Sequence, residues 1–220
     1  LAVVASAAFG LAACGGDDDN AADSPASAQM ASTGMTAMAM SEPDTATPAA
    51  DLRVTLDTLL GEHALLAVAA AQKGFDGAAD FEAAAAALDA NSVDVSEAIG
   101  SVYGDEAAQM FLDGPSLWRD HIGFFVDYTV ALAEKDKAAQ QEAVDNLTGY
   151  TGAFSGFLAE ATGLPQAALQ EGLTMHIAQL KGAIDAYAAG DYEEAYTLTR
   201  EAYDHMVATA DTLAAAIVQQ

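Results

Sequence analysis

The chain has 220 residues, 33 of them acidic and only 7 basic, for a formal net charge of -26. A surface of that sign repels nucleic-acid phosphates and anionic lipid headgroups, so nucleic acid is not expected as a partner. A single cysteine excludes an internal disulfide framework.

The first element is the apolar run LAVVASAAFGLAA, residues 1–13. It is too short to cross a bilayer as a helix and reads as the hydrophobic region of a signal peptide, truncated at its start. Leu11, Ala12 and Ala13 stand directly before Cys14, and the polar run GGDDDN follows it. This resembles the lipobox of a bacterial lipoprotein signal. The resemblance implies that Cys14 is acylated and becomes the new N-terminus. The protein would then be extracytoplasmic and lipid-anchored to a bacterial membrane, at the cell surface or in the periplasm.

Residues 14–50 carry Asp, Ser, Thr, Pro, Ala and Met without periodicity, the composition of a disordered tether. Behaving as a flexible coil, such a segment reaches roughly 35 Å. Met30, Met35, Met38 and Met40 are closely spaced within it. Thioethers are soft donors suited to Cu(I), and a flexible segment with this spacing can wrap one ion.

From residue 51 to 220 the sequence predicts helix almost throughout. Alanine, the strongest helix former, is abundant, and the prolines are confined to Pro115 and Pro165. Apolar residues recur at helical spacing along Leu52, Leu56, Leu59, His63, Leu66 and again along Leu117, His121, Phe124, Tyr128, Leu132. A third series runs Leu169, Leu173, Ile177, Leu180, Ile184, Tyr187. Breaks fall at Gly74–Gly77, Gly104, Asp113–Pro115, Lys135–Lys137, Gly163–Pro165 and Gly190–Asp191. Asp113 is expected to cap a helix that has Pro115 in its first turn, and Gly190 to end one that Asp191 follows with a new cap.

The breaks outline a repeat. Sliding the chain on itself by 58 residues lays His63 over His121, and a similar step lays His121 over His176. Each histidine is followed by about a dozen helical residues, a short turn and a returning helix. The fold class predicted is all-α: a bundle of about six antiparallel helices built from three hairpins, 51–103, 104–162 and 163–220, with a short extra turn at 105–112. One hairpin cannot bury its own apolar stripe, so the three are expected to pack as one domain.

The only four histidines, His63, His121, His176 and His205, all fall on or beside apolar stripes. His176 and His205 stand at nearly equal distances from Gly190, which in an antiparallel hairpin means equal height. The same count pairs His121 with Tyr150 and His63 with Asn91. A polar layer across the bundle is the expectation, with Tyr150 and Glu201 near enough to support its imidazoles. Three readings remain open. The layer is hydrogen-bonded packing that sets hairpin register; or His63, His121, His176 and His205 hold copper or zinc; or the group responds to pH.

Named metal motifs are absent. Leu60, Trp118, Leu173 and Ala202 stand three residues before the histidines, where a di-iron bundle needs Glu. There is no His-Glu-x-x-His, no Cys-x-x-Cys-His, no Gly-x-Ser-x-Gly and no phosphate loop. No enzymatic activity is expected. Tyr192, Tyr196 and Tyr203 read as core lining.

The last hairpin carries AYAAGDYEEAYTLTREAYDHM within a longer helical segment. It resembles uncharacterised bacterial secreted and lipid-anchored helical-hairpin proteins, some of which carry a copper amine oxidase N-terminal-like domain elsewhere in the chain. The resemblance spans about 51–220 and implies an exported helical protein without supplying catalytic residues. The function expected is a non-catalytic binding or scaffold module at the cell envelope, engaging an envelope or extracellular protein. The alternative is a copper- or zinc-binding protein using the histidine layer.

Overall fold

The computed structural model describes residues 47–220, so Cys14 and the four tether methionines lie outside the described residues. Seven helices follow one another: α1 (Pro48–Phe75), α2 (Phe81–Tyr103), α3 (Asp105–Asp113), α4 (Trp118–Glu134), α5 (Lys137–Thr162), α6 (Gln166–Ala189) and α7 (Tyr192–Val218). No strand occurs among the described residues. Among the described residues the fold is an all-α bundle of six long helices, with the short α3 bridging α2 and α4.

Local chemistry explains the breaks. α6 ends on Gly190 at φ 80°, a left-handed position that costs glycine little. The Asp191 carboxylate then accepts from the Glu194 N–H at 3.2 Å and starts α7. Asp136 does the same for α5, accepting from the Ala138 and Ala139 N–H groups at 3.0 and 3.1 Å.

The start of α4 departs from the expected cap. Asp113 is the last residue of α3, and α4 opens at Trp118 with Pro115 in the connector before it. α3 continues to Asp113 and so removes it from any capping position. The Asp113 carboxylate instead pairs with Arg119 at 2.7 Å, and Arg119 also reaches Asp89 of α2 at 3.0 Å. The Ser116 N–H donates to Asp120 at 2.6 Å and holds the turn.

α1 is the axis of the bundle, packing against α2, α4, α6 and α7. Its contact with α7 brings the first and last helices together and closes the ring. Alanine is prominent in the buried faces of these two helices: Ala64, Ala195, Ala202 and Ala210 are wholly buried. Small side chains let two helices approach closely, and alanine costs no side-chain entropy on burial. Among the larger core residues, Val95, Phe111, Trp118, Tyr150, Phe154 and Ile184 are all at most 3% exposed.

The tyrosine stripe of α7 is a correction. Tyr192 and Tyr196 are each 57% exposed and Tyr203 is 38% exposed, so they do not line the core. The buried face of α7 is the alanine face, Ala195, Thr199, Ala202, Met206, Ala210 and Ala214, one position away. Tyr203, the least exposed of the three, rests its ring against Gly61 of α1.

Candidate metal centre

Three of the four histidines converge. His63 on α1, His121 on α4 and His176 on α6 are buried, at 1%, 4% and 3% exposure. One ring nitrogen from each lies within 4.8 Å of the others. His63 Nε2 and His121 Nε2 are 3.4 Å apart. The His63 and His176 ring centroids stand 5.8 Å apart, so the trio shares one small volume.

Aromatic rings fix these imidazoles from outside. The Tyr150 ring stacks on His121 at 4.6 Å, as the register from the α4–α5 turn predicts. Trp118 lies 4.6 Å from the His63 ring and 5.1 Å from His121. Phe111 and Phe154 continue the stack beyond Trp118 and Tyr150. Trp118 was within reach of sequence reasoning, standing three residues before His121 on the same helical face. Phe154 likewise stands one turn after Tyr150.

Polar partners are few. His63 Nδ1, His121 Nδ1 and both nitrogens of His176 are buried without a hydrogen-bond partner, as is Trp118 Nε1. Burial drives the His63 imidazole well below its ordinary value, and the adjacent His121 and His176 rings add to this. Burial likewise pushes His121 down to about 4 and His176 down to about 3. All three are therefore neutral at pH 7, the form in which imidazole donates to a metal. Tyr150 is pushed well above its usual value by the same burial and keeps its proton.

The remaining members of the expected layer lie elsewhere. His205 is outside the trio and donates from Nε2 to the Gly172 carbonyl of α6 at 2.9 Å. Equal distance from a turn fixes height along a hairpin but leaves the direction of each side chain free, and His205 turns to the α6 backbone. Asn91 is buried beside α1, but its amide donates to the Leu59 carbonyl and to Glu62, each at 3.0 Å. Glu201 is exposed and supports no imidazole.

One pair of nitrogens already stands at chelating distance. Imidazole nitrogens bind zinc at about 2.0–2.1 Å, which puts two tetrahedral ligands roughly 3.3–3.4 Å apart. The His63–His121 separation of 3.4 Å matches that span. Three imidazoles leave one coordination position open. No carboxylate joins the set, so the site contributes no negative charge of its own. Compared with known protein families, curated proteins and solved structures, the chain gives no match.

Proposed function

We propose that this chain is a non-catalytic metal-binding module, holding one copper or zinc ion through His63, His121 and His176 and attached outside the cytoplasm by a lipid on Cys14. The observation that carries the metal reading is the convergence of three buried, neutral imidazoles from three different helices within 4.8 Å. Burying polar groups without hydrogen bonds costs stability, typically about 1–3 kcal/mol for each. Four unpartnered imidazole nitrogens in one place are therefore an expensive way to fill a core. A bound ion would give one His176 nitrogen a partner and replace the single His63–His121 contact by two coordination bonds.

The lack of a carboxylate favours the ion of lower charge. A divalent ion in a neutral buried shell keeps its full charge in a low-dielectric interior, whereas Cu(I) brings half as much. Imidazole is an accepted ligand for copper as well as zinc. The methionine-rich segment before the bundle would then deliver Cu(I) to the site, its thioethers acting as soft, exchangeable donors. His205 has no ligand role in this reading.

The alternative is a packing layer in which His63 and His121 hydrogen-bond to each other, supported by the same 3.4 Å separation. Thermal melting of the full chain separates the two. With Cu(I) under reduction at about a hundredfold excess over its dissociation constant, stabilisation of about 2.7 kcal/mol is expected. For a domain of this size that is roughly 5–10 °C. The His121→Ala/His176→Ala variant keeps every tether methionine and should lose the shift. Equal shifts in both proteins would reject the trio as the site.

A further inference from the structure

A cavity of about 700 Å³ opens beside the three histidines, with His176 in its wall. It lies at the end where α1 and α6 begin and where α2, α5 and α7 finish, with α3 beside it. Its walls are apolar, built from residues such as Leu60, Val95, Phe111, Phe154, Leu173 and Met206. The buried rings of Trp118, Tyr150 and His176 also line it. The exposed lining residues Met110, Glu160, Ala168 and Thr212 mark its mouth.

An open apolar pocket of this kind favours an apolar occupant, because binding removes its lining from water. Its size is typical of cavities that enclose a small molecule. The lining also states the charge of that molecule. No lysine or arginine lines the cavity, and Glu160 is its single carboxylate. With a net charge of -26 on the chain, a carboxylate- or phosphate-headed amphiphile finds no counter-charge and meets repulsion.

We propose that the cavity binds one uncharged long-chain lipid, an alcohol, ester or isoprenoid. Its chain runs along Leu60, Val95, Phe154 and Leu173, and its small polar end lies at the mouth near Glu160 and Thr212. The chain enters the bundle at this same end, since α1 starts at Pro48. This inference does not depend on the metal reading.

The test uses the full chain with chelator present, so that metal has no bearing on the result. Diphenylhexatriene serves as the fluorescent probe, and dodecanol and dodecanoate compete for it at pH 8. The expected result is saturable binding at one probe per chain, with dodecanol at least about tenfold more effective than dodecanoate. Leu173→Trp and Thr209→Trp fill the cavity and should abolish probe binding while the melting temperature holds or rises. The alcohol-to-acid preference of the unaltered protein decides the matter even where a tryptophan variant fails to fold. Absence of saturable binding, equal competition by dodecanoate, or undiminished binding by folded tryptophan variants would overturn the proposal. So would probe binding that emerges only when residues 1–13 are deleted, which would make this chain's own apolar run the occupant.

Discussion

His63 and His121 bring their Nε2 atoms to 3.4 Å of each other across 58 residues of sequence, from two different hairpins. Neither ring is positioned by a hydrogen bond at Nδ1. Packing orients them instead, with Trp118 against both rings and Tyr150 stacked on His121. The consequence is a preformed pair of neutral nitrogens at chelating distance, to which α6 adds His176.

The first prediction concerns His176, whose two ring nitrogens are both buried and unpartnered. Replacing it with leucine removes two unsatisfied polar atoms and keeps an apolar side chain of similar size. Metal-free His176→Leu should therefore be more stable than the parent at pH 7.5, by about 1–3 kcal/mol. Urea denaturation in chelator measures this. Destabilisation of that size would mean the imidazole makes favourable contacts that the account lacks.

Acid sensitivity follows from the same burial. His121 and His176 titrate at about 4 and about 3 in the fold, against 6.5 for a free imidazole. Above 6.5 both folded and unfolded chains are neutral at these positions, and no pH dependence arises from them. Between 6.5 and the folded values the unfolded chain binds the extra protons, so stability falls as pH falls. Each histidine adds a slope of up to about 1.4 kcal/mol per pH unit. Carboxylate protonation acts on the whole chain, so the comparison must be with a variant. Between pH 6 and pH 4, metal-free His176→Leu should lose less stability than the parent; parallel profiles would contradict the assignment.

Metal affinity should share this feature with the opposite appearance. An ordinary histidine site loses ligands below pH 6.5 as protons compete. Here the imidazoles stay neutral well below that value. Binding of Cu(I) by the full chain should change little between pH 7.5 and pH 5.5, as read by competition with a chromophoric chelator corrected for its own protonation. A steep loss beginning near pH 6.5 would point to solvent-exposed ligands.

The anchor makes a separate prediction. Expressed with its signal in a bacterial host, the parent chain should partition with membranes and Cys14→Ser should be released. With the acylated residue lost no lipid anchor remains, so release is expected to be nearly complete. Unchanged partitioning would remove Cys14 as the attachment point.

Much of the fold was legible because helix breaks have strong local signatures. Gly190, Asp191, Asp136 and Gly163 each end or start a helix where expected, for reasons contained within a few residues. The level of Tyr150 opposite His121 was legible because a short turn fixes height across one hairpin, while the stacking of the two rings comes from the packing around them. His205 was misread because height alone does not set facing, and Gly172 offered its carbonyl instead. The exposed Tyr192 and Tyr196 were misread because apolar spacing does not say which of two adjacent stripes is buried. The cavity left no trace in the sequence at all. It arises where six helices and α3 fail to fill the end of the bundle, a property of the assembled walls and of no single segment.

The most direct measurement is X-ray absorption at the copper edge on the full chain loaded with one equivalent of Cu(I). The account predicts three imidazole nitrogens at about 2.0 Å, with the outer-shell scattering of histidine rings, lost in His63→Ala/His176→Ala. A spectrum dominated by sulfur in the parent, unchanged in that variant, would place the ion on methionine and leave the three histidines as packing alone.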